Sequence, residues 1–251
     1  LAKLTDAPLL DKLNFLSRNQ TWLPLFTLVA ASILGLIDDF LQVFEKGTDV
    51  AGGLKFRLRL AAVLAIALAG AYWFSVRLEQ NAVYVPGLGD IVIGFWFVPF
   101  FVITMFATFS TAVTDGLDGL AAGVFATIFA AYGGIAFFRG QVDLAAFSAV
   151  VLGALLAFLW FNIPPARFYM GETGILGLTT TLTVMAFLTN SVIVLPIIAF
   201  VPLVEAASVI IQMASKKFRG KKVFMVAPIH HHFEAIGWPS YKVTMRFWVI
   251  S

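Results

Sequence analysis

The sequence predicts an all-α, polytopic integral membrane bundle, and three observations carry that prediction. Sixty per cent of the 251 residues are hydrophobic, only 12% are charged, and the mean hydropathy is +0.92. A water-soluble domain carries about 25% charged residues and has nowhere to bury so much apolar surface. Apolar runs of about 20 residues, the length a bilayer requires, recur along the whole chain. There is no cysteine, which excludes a disulfide scaffold and thiolate chemistry, and the apolar content excludes a disordered chain.

The runs cover residues 22–37, 58–76, 91–109, 117–138, 144–162, 175–188 and 192–213. Each is read as one complete span, giving seven, and an eighth apolar run opens near Met245 and is interrupted at Ser251. Gly133, Gly134, Pro196 and Pro202 fall inside these runs, where membrane helices tolerate them. No repeat, low-complexity tract or soluble linker divides the chain, so residues 1–251 are expected to form a single transmembrane domain. The first residue is Leu1 and the segment before the first run is polar and unlike a signal peptide. The natural termini are therefore expected to lie beyond both ends.

Lysine and arginine set the orientation. Lys46, Lys55, Arg57, Arg59, Arg167, Lys216, Lys217, Arg219, Lys221, Lys222, Lys242 and Arg246 fall on one side, and Lys3, Lys12, Arg18, Arg77 and Arg139 on the other. The richer side is expected to be cytoplasmic. Its longest loop, 214–241, carries the run KKFRGKK, which suits anionic lipid headgroups or an anionic substrate.

Carboxylates inside or beside membrane spans are costly and signal function. Asp38 and Asp39 close the first run, Asp115 and Asp118 lie between the third and fourth, Glu172 precedes the sixth, and Glu205 lies within the seventh. With the orientation above, all of them gather at or near the cytoplasmic face. Asp115 and Asp118 precede a helix, where the dipole favours negative charge. The Asp38–Asp39 pair sits near a helix C-terminus and repels itself, so a divalent cation or a lysine is expected to compensate. Oxygen-only ligands favour Mg²⁺, which binds through one or two carboxylates plus substrate phosphates.

The chain's three histidines are consecutive, His230, His231 and His232, within APIHHHFE. Three consecutive residues cannot all face one ion from regular structure, so zinc ligation fits poorly. Donation of hydrogen bonds to phosphate fits better, with a structural role for at least one of them. A further short loop on the same face runs from Asn162 through two prolines to Tyr169 and Glu172, with Gly171 and Gly174 expected to let the backbone approach a ligand.

LGLIDDF (34–40), TDGLDGLAAG (114–123), FNIPPARFYMGETG (161–174), VEAASVIIQ (204–212) and APIHHHFE (227–234) together resemble the polyprenyl-phosphate N-acetylhexosamine-1-phosphate transferases. The triple histidine points to the muramoyl-pentapeptide branch of that family. The resemblance implies ten spans, two of them before Leu1, and a homodimer in the bacterial inner membrane with its active site on the cytoplasmic face. It implies Mg²⁺-dependent transfer of phospho-MurNAc-pentapeptide from UDP-MurNAc-pentapeptide to undecaprenyl phosphate, giving lipid I and UMP. It implies no nucleic-acid partner. By the same resemblance Glu172 ligates the metal, Asp38 and Asp39 act on the lipid phosphate, and Asp115 and Asp118 lie on the nucleotide side with Asp118 near uracil. Tyr169 stacks on uracil, Gln212 makes a polar contact nearby, and His230 and His231 contact phosphate or sugar. Asn162, His232 and Lys55 complete the expected substrate site.

Several positions depart from the family pattern. Glu172 stands where the motif has Asp, Phe109 and Ala112 where it has Asn, Gln42 where it has Lys, and Ile175 where it has Ser. A Thr-Pro-Thr-Met-Gly-Gly motif is absent from this sequence. A related transferase of another glycan pathway that uses a different UDP-N-acetylhexosamine, or a catalytically impaired scaffold, is the alternative reading. A transporter is disfavoured, because it would place carboxylates at the bilayer midplane within repeat symmetry.

Overall fold

A computed structural model of the protein describes residues 19–44 and 53–251. Lys3, Lys12, Arg18 and Lys46, which count toward the orientation, lie outside the described residues. The helices are α1 (Asn19–Val43), α2 (Phe56–Tyr72), α3 (Phe97–Ser110), α4 (Leu120–Phe138), α5 (Val142–Asn162), α6 (Gly171–Leu188), α7 (Leu195–Ile198), α8 (Phe200–Arg219), α9 (Ile229–Ala235) and α10 (Ser240–Ile250). Among the described residues, six segments are long and apolar enough to cross a membrane: Thr21–Val43, Phe56–Arg77, Gly94–Thr114, Leu120–Phe138, Val142–Asn162 and Gly171–Leu188. The polytopic helical architecture matches the sequence expectation.

Helices α4 and α6 form the hub, because they are the most deeply buried of the spans, α6 from Ile175 to Phe187 on every face. Helix α1 packs along α6, α5 along α4, and α2 against α3. In lipid there is no hydrophobic drive between helices, so small residues that let backbones touch become the determinant. Gly35 of α1 is such a residue, since a Cβ there would collide with the Glu172 carbonyl of α6. Hydroxyls on this hub bond back to their own helix or across it, as Thr108 does with Thr183 at 2.6 Å.

Two expectations are corrected. The third run does not begin as helix at Ile91: residues Ala82–Val85 and Gly89–Val92 pair as an antiparallel hairpin, β1 and β2, and α3 begins at Phe97. A Pro86–Gly87 turn with Gly87 at φ +86° reverses the chain there. The run 192–213 is not one straight span, because α7 and α8 meet at an 81° bend at Ala199. Pro196 and Pro202 flank that bend and remove backbone donors from it. The final apolar run, expected to be too short to span, forms part of the eleven-residue α10.

The bundle thus has a hairpin end, with β1 and β2, and a basic end, with the loops 111–119, 163–170 and 220–228. At the hairpin end, Phe74, Phe97 and Phe101 surround Phe187 with ring centroids 5.8, 5.4 and 4.7 Å away. At the basic end Lys216, Lys217 and Arg219 occupy the last turn of α8, where they complement the helix dipole.

Candidate functional site

Asp38 and Asp39 share the last turns of α1 but point to different tasks. Asp39 accepts hydrogen bonds from the Glu172 N–H (3.0 Å), the Thr173 N–H (2.9 Å) and the Thr173 hydroxyl (2.6 Å). These are donors that the start of α6 would otherwise leave unpaired, so Asp39 caps α6 from another helix. Gly171 reaches this geometry with φ +65°, and a Cβ there would press on the Asp39 carboxylate. The closely approached group is therefore this carboxylate; at Gly174 it is the Met170 side chain. The sequence reading expected a ligand at both.

Asp38 is fully buried and accepts from the Leu54 N–H at 2.6 Å. Its charge partner is Arg59, whose Nε lies 3.6 Å from Asp38 Oδ1. The same guanidinium donates through Nη1 to Glu172 Oε1 at 2.9 Å. Arg59 thus supplies the compensating charge that the sequence reading assigned to a divalent cation or a lysine. Lys55 is exposed at the N-cap of α2 and its side chain makes no capping bond. Arg59, one turn further into α2, is the cation that meets the carboxylates.

Asp115 joins this group. Burial pushes its carboxyl from the ordinary 3.8 to about 6; the charges of Glu172 and Asp39 add to the rise and a Gly171 N–H bond opposes it. Arg59, Asp115 and Glu172 line one cavity of about 520 Å³, whose remaining wall includes Leu60, Phe106, Ile210 and Met213. Buried atoms facing this group remain without hydrogen-bond partners: Asp38 Oδ2, Arg59 Nε and Glu172 Oε2. A polar cluster with open valences beside an apolar wall suits an amphipathic ligand with an anionic head.

The other predicted site residues divide into loop supports and an exposed side chain. Asp118 Oδ2 accepts from the Ala166 N–H at 3.0 Å. Asn162 accepts from the Gly119 N–H at 3.0 Å and donates to the Phe168 carbonyl at 2.9 Å. These two residues tie the 163–170 loop to the start of α4. Neither Asp115 nor Asp118 caps α4, whose N-cap is Gly119. Tyr169 stands on the tied loop and is 71% exposed. Gln212 spends its whole amide on the 220–228 loop, accepting from Val223 (2.9 Å) and Phe224 (3.1 Å) and donating to the Phe224 carbonyl (2.9 Å).

The three histidines take three separate partners. His230 is fully buried; its Nδ1 lies 2.8 Å from Oε2 of the equally buried Glu205, and its ring fills the space beside Gly116. His231 Nδ1 meets Glu234 Oε2 at 2.6 Å, and the other oxygen of Glu234 accepts from Ser240 at 2.5 Å. Burial raises the Glu234 carboxyl, the Ser240 and His231 bonds lower it, and the bonds prevail, leaving it below its usual value. His232 Nδ1 accepts from the Met225 N–H at 3.2 Å.

The sequence model of glycosyl transferase family 4 matches residues 21–190, which include Asp38, Asp39, Arg59, Asp115 and Glu172. The chain belongs to glycosyl transferase family 4. Its relatives include the phospho-N-acetylmuramoyl-pentapeptide-transferase of Anoxybacillus flavithermus, 41% identical over 97% of this chain and 75% of that one. The transferases of the same name from Latilactobacillus sakei subsp. sakei and Pelagibacter ubique are 39% and 38% identical. They cover 93% and 94% of this chain and 72% and 70% of their own lengths. This family 4 member is therefore a transferase enzyme and a multi-pass membrane protein of peptidoglycan precursor synthesis.

For a family 4 transferase, the fit of a divalent cation turns on the donor set. Among the described residues no group of three or more His, Asp or Glu side chains converges as a complete metal cage. Glu172 and Asp115 face one cavity, and Glu172 Oε2 is buried and unpartnered. Two carboxylates with one open oxygen fit Mg²⁺, which leaves most of its coordination to water and substrate phosphates.

Proposed function

We propose that this chain transfers phospho-MurNAc-pentapeptide from UDP to undecaprenyl phosphate, yielding lipid I and UMP, with Mg²⁺ required. The observation that carries this reading is the cavity in which Arg59, Asp115 and Glu172 meet an apolar wall. A lipid phosphate needs such a junction: hydrocarbon beside the charged end and a soluble nucleotide opposite. In this reading the cavity lies at the cytoplasmic face of the bacterial inner membrane, which the basic residues in the loops around it support.

Phosphoryl transfer is governed by positioning and by neutralising charge as it moves to the leaving phosphate. An oxygen of the acceptor phosphate forms a bond to the sugar-linked phosphorus, the bond between the two phosphorus centres' bridging oxygen and that phosphorus breaks, and UMP leaves. Mg²⁺ held by Glu172 with Asp115 would neutralise phosphate charge during this exchange. Asp39 fixes the backbone of Glu172 and Thr173, so the metal-side carboxylate is set from α1. Arg59, beside the buried Asp38, offers the acceptor phosphate a planar fork of donors. Asp118 and Asn162 hold the loop on which Tyr169 is free to stack on uracil. Glu205 holds His230 against the loop that carries Asp115.

The protein reconstituted in lipid nanodiscs with UDP-MurNAc-pentapeptide, polyprenyl phosphate and Mg²⁺ is expected to release UMP, and to stop when Mg²⁺ is chelated. A folded preparation that releases no UMP, or that accepts a UDP-N-acetylhexosamine without peptide equally well, would overturn this reading.

A further inference from the structure

Arg59 holds two acidic groups at once, and its place among them has a consequence beyond charge balance. Its Nη1 lies 2.9 Å from Glu172 Oε1 and its Nε 3.6 Å from Asp38 Oδ1, while that Nε, Asp38 Oδ2 and Glu172 Oε2 are buried without hydrogen-bond partners. A guanidinium stays charged in a protein, so it can release a carboxylate only by moving away. A divalent cation on Glu172 would meet that positive charge at close range, and buried like charges repel strongly. The two cations therefore compete for one carboxylate. Arg59 already lines the cavity, so a displaced guanidinium has space to enter beside Leu60, Phe106, Ile210 and Met213.

We propose that Arg59 is a displaceable counter-ion: it occupies Glu172 until a divalent cation takes that carboxylate, and the freed guanidinium then binds the phosphate of the lipid acceptor. The proposal rests on the metal-binding role given to Glu172 above. Two features of the site favour it. The glutamate side chain at 172 is long enough to set Oε1 2.9 Å from Arg59 while leaving Oε2 open. Among the described residues, Arg59 is the cation paired with the buried Asp38. An arginine fork matches phosphate oxygens bidentately, and the apolar residues beside it match a prenyl chain.

The test uses the chain in nanodiscs with Mn²⁺ alone as the probe, following free Mn²⁺ by electron paramagnetic resonance. Arg59→Gln is expected to bind Mn²⁺ about tenfold more tightly than the unaltered chain, the equivalent of about 1.4 kcal/mol. The same variant is expected to raise the KM for polyprenyl phosphate about tenfold while the KM for the UDP-linked donor changes less than about twofold. Arg59→Lys keeps the charge and most of the volume but loses the fork. It is expected to tighten Mn²⁺ binding by about threefold and carries the test if Arg59→Gln does not fold. Unchanged or weakened Mn²⁺ affinity in the folded Arg59 variants overturns the proposal. Glu172→Gln separates the two ideas: full Mn²⁺ affinity in that variant removes the metal role of Glu172, whatever Arg59 does.

Discussion

Helices α2, α3 and α6 meet twice, once at each end of the bundle. At the hairpin end the meeting is Phe74 just beyond α2, Phe97 and Phe101 on α3, and Phe187 on α6, all buried and in ring contact. At the basic end it is Arg59 on α2, Asp115 just beyond α3 and Glu172 on α6. The aromatic cluster is hydrocarbon throughout, and the open buried atoms near it, such as Ser75 Oγ and Gln141 Oε1, are neutral. At the other end every ionisable side chain with an open buried atom among the described residues is found: Asp38, Arg59, Glu172, Glu205 and His230. Neutral hydroxyls and amides with open atoms are spread along the spans and both ends, as at Ser148, Thr181 and Thr114. A membrane bundle has no need of buried ionisable groups with open atoms for its own cohesion, and desolvating them is costly. The contrast teaches which end stabilises and which end reacts.

The largest effect that would sharpen this comparison is on turnover. Glu172→Gln keeps size and hydrogen bonding but removes the charge, and is expected to lower kcat by about 10²–10³-fold, the scale of losing one electrostatic contact to the reacting group. Its thermal melting midpoint should stay within a few degrees of the parent's. A matching loss of stability would place Glu172 with the structural carboxylates instead.

Asp39→Ala is expected to behave differently although the two residues touch. It removes an acceptor of three donors at the start of α6 and should cost about 3 kcal/mol, read as a fall in melting temperature. Activity should fall with it, because Glu172 loses its anchor. If stability holds while activity vanishes, Asp39 acts on substrate and the cap is incidental. Phe187→Ala comes next, at about 2 kcal/mol. A water-soluble core would lose about 3–5 kcal/mol for this change, but the reference state here is already in lipid, so the packing loss dominates. Activity per folded molecule should not change.

These contrasts also show what the linear sequence could disclose. The spans follow from apolar run length, a local property, and the convergence of Asp38, Asp39, Asp115 and Glu172 follows from alternating direction through the bilayer. Orientation parity cannot tell which of two adjacent aspartates caps a helix 130 residues away, because that depends on how Gly35 lets α1 approach α6. Arg59 was visible only as one basic residue among several, and Lys55 four positions earlier drew the assignment. One helical turn separates an exposed cation from a buried one, and nothing local distinguishes them. The hairpin was legible in part: VYVPGLGDIV has β-branched residues around a Pro-Gly turn, yet its apolar tail merges with the third span. Prolines 196 and 202 are each tolerable inside a span by sequence alone, whereas together they flank an 81° bend.

The smallest expected effect tests whether all carboxylates at the basic end share the reactive character. Glu234 pairs with His231 and Ser240 at the rim, away from the cavity, and its bonds hold the carboxyl below the usual 4.5. A carboxyl depressed in the folded state binds fewer protons there than in the unfolded state. Its contribution is therefore present above pH 4.5 and fades as pH falls through and below that value. Being largely solvated, the clip is worth about 0.5 kcal/mol. Glu234→Gln should lower the melting temperature by a degree or two at pH 7, and the gap from the parent should close as the pH is taken below 4. Turnover at pH 7 should hardly move. A turnover loss on the scale of Glu172→Gln would extend the reacting end of the molecule out to its rim, and the division between bonded and open carboxylates would no longer mark where chemistry occurs.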